Sequence, residues 1–167
     1  MIKTINTLFV TMFGLGRVPK IPGTFGSLAT IIILYIFFHI FNLSSNLILI
    51  ILIAIFVISF LAVANHIKDN ENKDPKEVVI DEFIGQSIPI FLYEVAHSTE
   101  KNPQEAILYY VYIFILFRFF DIKKPFPVNV FDKKLKNSFG VIFDDVVAGL
   151  YVVLTLIIFM IIKSKFF

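Results

Sequence analysis

From Ile21 to Ile67 the chain contains no Asp, Glu, Lys or Arg. A water-facing surface rarely tolerates such a stretch. Within it, Leu28–Leu43 and Leu47–Ala64 are two apolar runs parted only by Ser44, Ser45 and Asn46. Each approaches the ~20 residues that carry a helix across ~30 Å of hydrocarbon, so the pair predicts a transmembrane helical hairpin. Composition extends the point: 57% of the 167 residues are hydrophobic and 17% charged, where soluble domains average about 25% charged. A cleaved signal peptide is a poor fit, because turn-rich sequence precedes the first run and no small-residue cleavage site follows it. Without Cys there are no disulfides, zinc-thiolate sites or thiol nucleophiles, and a net charge of +2 is too small to imply nucleic acid.

Two further apolar runs, Ala106–Phe117 and Val146–Ile162, flank a mixed segment, Val78–His97, which carries Asp81, Glu82, Gln86, Pro89 and Glu94. The basic residues fall mainly into three blocks: Lys3, Arg17 and Lys20; Lys68, Lys73 and Lys76; and Arg118, Lys123, Lys124, Lys133, Lys134 and Lys136. If all three face the cytoplasm, an even number of crossings separates each pair, and the segment near 83–97 supplies the crossing that Ala106–Phe117 needs as its partner. It would be short and tilted or broken near Pro89. Lys163 and Lys165 would then lie outside. No period-two pattern persists, and no internal repeat is present. The expectation is a single all-α domain over residues 1–167, a multi-helix membrane protein of about four to five hydrophobic helices with a polar site on the cytoplasmic face. Loops are expected at 14–26, 65–77, 98–104 and 121–140. The rival arrangement lays some helices in the membrane interface as a compact helical domain.

This topology gathers four polar clusters on one side. Asp81-Glu82 sits inside an apolar run, and Asp144-Asp145 at the mouth of the last one. Ionisable groups at membrane depth are costly unless paired or bound to a cation. A snorkelling helix end explains one such doublet, but two doublets with Asp121 on the same face repel one another unless a cation neutralises them. All-oxygen ligands favour Mg²⁺ over zinc. In the third cluster Arg118, Asp121 and Lys124 share a helix stripe before Pro125 and Pro127 end it. A surface ion pair is the plain reading, but a guanidinium fork beside a metal-binding carboxylate suits a phosphate. The first cluster, residues 14–27, is a loop punctuated by Gly and Pro, in which Thr24 or Ser27 can cap the first span and Arg17, Lys20 and backbone N–H groups can receive an anion. It lacks the Gly-Lys-Ser/Thr of a P-loop. His39 reads as an interhelical side chain, His66 and His97 as water-facing, and Lys68–Glu77 as a solvated loop.

Taken in order, Pro22-Gly23-Thr24-Phe25-Gly26-Ser27, Asp81-Glu82-Phe83-Ile84-Gly85, Phe117-Arg118-Phe119-Phe120-Asp121-Ile122-Lys123-Lys124-Pro125-Phe126-Pro127 with Asp132, and Gly140 followed by Asp144-Asp145-Val146-Val147-Ala148-Gly149 resemble the phosphatidylglycerophosphatase A family. The likeness runs from about Gly14 to Tyr151. One departure lies before the second Asp doublet, where the family often has Gly-Gly-x-Gly and this chain has Asn137-Ser138-Phe139-Gly140. The resemblance implies a Mg²⁺-dependent lipid phosphatase of the bacterial cytoplasmic (inner) membrane that converts phosphatidylglycerophosphate to phosphatidylglycerol and phosphate. On that basis Asp81, Glu82, Asp144 and Asp145, with Asp121 in the inner or outer ring, are the expected catalytic Mg²⁺ ligands. Arg118, Lys124, Lys20 and Thr24 are the expected phosphate-binding residues.

Two other functions use similar parts. A CDP-alcohol phosphotransferase also clusters Asp at a membrane surface, but it needs a longer Asp-Gly…Ala-Arg…Gly…Asp…Asp pattern that is missing here. An ion carrier built on intramembrane carboxylates is the non-enzymatic alternative. Oligomeric state has no sequence signature.

Overall fold

The computed structural model describes residues 2–68, 72–97, 103–130, 135 and 137–166. Asp132 and the basic residues Lys101, Lys133, Lys134 and Lys136 lie outside these. The described residues are helical with intervening turns and no strand: α1 (Ile2–Val10), a 3₁₀ turn (Leu15–Arg17), α2 (Pro22–Tyr35, prolonged as a π-helix over Ile36–Ile40), α3 (Ser45–Ile67), α4 (Ile80–Ala96), α5 (Pro103–Lys123) and α6 (Ser138–Phe166). The all-α expectation is met.

Three of these helices are long and apolar enough to cross a membrane: α2 with its π-helical end, α3, and α6 as far as Lys165. The segments counted above as a further pair of crossings differ from them for a physical reason. Helix α4 has only 17 residues, and its polar side chains point inward; Asp81, Gln86, Ser87 and Glu94 are all buried. Helix α5 is long enough, but Gln104 and Glu105 open it and Arg118, Asp121 and Lys123 close it. Thus α4 is an interior helix, packed most extensively against α6 and then α2.

Several boundaries differ from expectation. Helix α2 begins at Pro22, inside the predicted loop, because Pro at the first helical position gives up no backbone bond. Ile21 occupies the N-cap without a side-chain bond, so neither Thr24 nor Ser27 caps the helix. Ser44 caps α3 by accepting from the Leu47 N–H (3.3 Å). At α6, Asn137 Oδ1 accepts from the Gly140 N–H at 3.0 Å. Asn137 therefore serves as a helix cap.

Packing divides into two apolar clusters. One joins Val10 of α1, Val63 of α3, Phe83 of α4 and Ile142 of α6. The other joins Leu34 of α2, Ile48 of α3, Ile90 of α4, Phe117 of α5 and Val152 of α6. In lipid such contacts rest on close fit rather than on expulsion of water, and small residues bring backbones together. Gly85 and Gly149 do this where α4 crosses α6: a Cβ on Gly149 would strike the Gly85 carbonyl, and a Cβ on Gly85 would strike that of Asp145.

Candidate active site

The Gly85–Gly149 crossing sets Asp145 beside the first turn of α4, where Asp81 and Glu82 lie. One carboxylate oxygen from each of Asp81, Glu82 and Asp145 falls within 4.8 Å of the others, close enough to share one cation. Asp81 and Asp145 are buried, and the Glu82 side chain is 13% exposed. Among the described residues, Asp81 Oδ1 and Glu82 Oε2 are buried without a hydrogen-bond partner. A protein seldom leaves such atoms unsatisfied, because each loses its hydration for nothing in return. The donor set fits a hard divalent cation such as Mg²⁺, which takes carboxylate oxygens. Burial first, and then the neighbouring Glu82 charge, push the Asp81 carboxyl well above its ordinary range. Burial raises Glu82 from 4.5 to about 7, against the opposing pull of Asp81 and Arg118.

The remaining predicted carboxylates have cationic partners. Lys124 Nζ donates to Asp144 Oδ2 at 2.7 Å, while Asp144 Oδ1 accepts from the Asp145 N–H at 3.1 Å. Arg118 Nη1 lies 2.7 Å from Asp121 Oδ2 and 3.9 Å from Glu82 Oε1, and donates to Ser27 Oγ at 3.3 Å. Arg118 Nε is buried with no hydrogen-bond partner among the described residues. Gly23 makes room for this arrangement, since a Cβ there would collide with the Glu82 carboxylate and press on the Arg118 guanidinium. The five carboxylates therefore sort into an inner trio and two that hold basic side chains.

A cleft of about 330 Å³ opens onto the trio and brings together all nine predicted site residues. Lys20 and Thr24 line it with Arg118 and Lys124. Lys20 (φ 77°) and Lys124 (φ 44°) both adopt the left-handed backbone region, which is costly for residues with a Cβ and recurs at functional sites. The cleft also contains Asp74 and Lys76, from the segment read as a solvated loop. Residues 72–77 of that segment fold back over the site: Lys73 Nζ donates to the Ile67 and Lys68 carbonyls (3.0 and 3.1 Å), and His66 Nε2 lies 2.8 Å from Glu77 Oε1. His66 is thus an anchor rather than a water-facing side chain. The clue available in sequence was the histidine eleven residues before Glu77. At the opposite end of α4, His39 is interhelical as expected, with Nε2 3.1 Å from Glu94 Oε1.

A family model described as phosphatidylglycerophosphatase A matches residues 8–160. The chain belongs to the phosphatidylglycerophosphatase A family. It is 35% identical over 147 residues to the phosphatidylglycerophosphatase A of Haemophilus influenzae, covering 88% of this chain and 83% of that protein. The Escherichia coli K12 protein of the same name is 32% identical over 143 residues, 85% and 76% of the two chains. A Bacteroides thetaiotaomicron relative, whose name provisionally assigns it phosphatidylinositol-3-phosphatase activity, is 32% identical over 148 residues and 88% of each chain. No solved structure matches. Membership makes this a phosphatase family protein, and the matched span includes every residue of the carboxylate trio and its basic rim.

Proposed function

We propose that this chain is a Mg²⁺-dependent phosphatase that hydrolyses the phosphomonoester of phosphatidylglycerophosphate to phosphatidylglycerol and phosphate, a step of phospholipid synthesis. The observation that carries the reading is the carboxylate trio, with its unpartnered buried oxygens, under a rim of Arg118, Lys124, Lys20 and Thr24. Asp81, Glu82 and Asp145 would hold the metal. Bound Mg²⁺ supplies a Lewis acid that polarises the phosphoryl oxygens and makes bound water more acidic. Asp121 and Asp144 serve as positioning residues, aiming Arg118 and Lys124 at a phosphate bearing more than one negative charge. Arg118 offers a planar fork of donors, and Lys124 and Lys20 add point charges. Thr24 and the N–H groups of the first α2 turn, which have no intrahelical acceptor, receive remaining phosphate oxygens. Net hydrolysis breaks the bond between phosphorus and the glycerol oxygen; water contributes its oxygen to phosphate and a proton to the alcohol.

The membrane-spanning helices suit a substrate with its acyl chains in the bilayer and its phosphate in the cleft. The basic blocks at Lys20 and Lys76 favour the cytoplasmic face of a bacterial inner membrane. The purified protein should release phosphate from phosphatidylglycerophosphate in mixed micelles with Mg²⁺, and EDTA should abolish it. Asp81→Asn and Asp145→Asn should each lose the activity while remaining folded; activity retained in both would remove the metal assignment. The Bacteroides relative's name motivates phosphatidylinositol 3-phosphate as a parallel substrate, and faster release from it would reassign the headgroup without changing the chemistry.

A further inference from the structure

The crossing that assembles the carboxylate trio also shapes the far end of the bundle. Helices α4 and α6 touch at Gly85 and Gly149, then separate around a crevice of about 610 Å³ walled by Leu92 and Tyr93 of α4, Tyr109 of α5, and Leu156 and Met160 of α6. The crevice is larger than the catalytic cleft and almost wholly apolar. At its mouth are His97, Lys163 and Ser164, and Lys163 is the one charged side chain among the described residues that line it. Lys163 follows Asp145 by 18 residues on one helix. At 1.5 Å per residue this is about 27 Å, close to the ~30 Å hydrocarbon thickness, so the mouth lies near the opposite membrane interface. Tyr93 stacks there with Tyr109 (ring centroids 4.8 Å apart) and packs against His97 (4.6 Å), as befits aromatic side chains at a headgroup boundary.

We infer that this crevice is a binding site for an anionic glycerophospholipid of the leaflet opposite the catalytic cleft, one acyl chain lying between α4 and α6 and the phosphate at Lys163. Left empty, the crevice would forfeit the dispersion contacts that hold helices together in lipid, and an acyl chain is the filler the surroundings supply. Lys163, with no acidic residue among the described residues of the lining, selects a negative headgroup over a zwitterionic one. The site stands apart from the reaction at the carboxylate end and does not depend on it.

The chain contains no Trp, so Leu156→Trp places a sole indole in the crevice. The variant is reconstituted in phosphatidylcholine vesicles containing a minor fraction of dibrominated phosphatidylglycerol or dibrominated phosphatidylcholine. Half-quenching should need about fivefold less of the anionic lipid, the preference expected of one basic residue at the surface. Lys163→Gln in the same background should bring the two lipids together, and Val57→Trp, on the exposed face of α3, should show no preference. Where Leu156→Trp does not fold, Met160→Trp at the outer edge of the same wall takes its place. Equal quenching by both lipids, or a preference unchanged by Lys163→Gln, would identify ordinary boundary lipid and overturn the proposal.

Discussion

Helix α4 buries carboxylates at both ends, and the two ends treat them in opposite ways. Glu94, fully buried, has His39 Nε2 at 3.1 Å and accepts from the Tyr110 hydroxyl at 3.1 Å, with Tyr35 packed beside His39. Twelve and thirteen residues earlier, Glu82 and Asp81 crowd against a third carboxylate and leave oxygens without partners among the described residues. A buried acid whose partners come from the chain ties helices together. One whose partners are missing leaves room for a ligand. The contrast separates partnered from unpartnered acids on a single helix, where hydropathy alone ranks them alike.

The comparison breaks most sharply at Asp145. Asp145→Asn should lower Mg²⁺-dependent phosphate release by 10²–10³-fold (order of magnitude) while leaving the metal-free protein no less stable, because it relieves repulsion. A parallel loss of activity and thermal stability would place Asp145 with Glu94 instead. Gly85→Ala, which inserts a methyl against the Asp145 backbone, should cost about a hundredfold in activity by displacing one ligand, with helicity by circular dichroism retained. Arg118→Lys keeps the charge but loses the fork, and kcat/KM should fall about tenfold. Glu94→Gln should leave turnover nearly unchanged and lower unfolding stability by about 1 kcal/mol, measured by denaturation in detergent. Smallest is a pH effect. The folded chain keeps the Glu82 proton up to about 7, against 4.5 for the unfolded chain. With metal withdrawn by EDTA, Glu82 therefore makes the protein more stable as pH falls from 7 towards 4.5, and Glu82→Gln should flatten that slope.

The contrast also marks what sequence could disclose. Apolar runs revealed α3 and α6 because a helix facing lipid must be apolar along its length, and the acidic doublets stood out because such a background makes them expensive. Neither the Glu94–His39 contact, spanning 55 residues, nor the pairing of Asp144 with Lys124 has a local signature, whereas the Arg118–Asp121 pair lies at i,i+3 on one helix. Lys76 escaped for the same reason: its charge pattern suits open solvent, and only the fold of the α3–α4 connection brings it over the cleft. Charge counting registered the sides on which α4 begins and ends, and not that the helix between faces protein rather than lipid.

The two glycines also order events in time. Asp81 and Glu82 leave the ribosome some sixty residues ahead of Asp145, and only α6, with its Gly149 against Gly85, completes their set. A chain stalled before α6 would therefore carry two crowded acids without the third carboxylate of the proposed site.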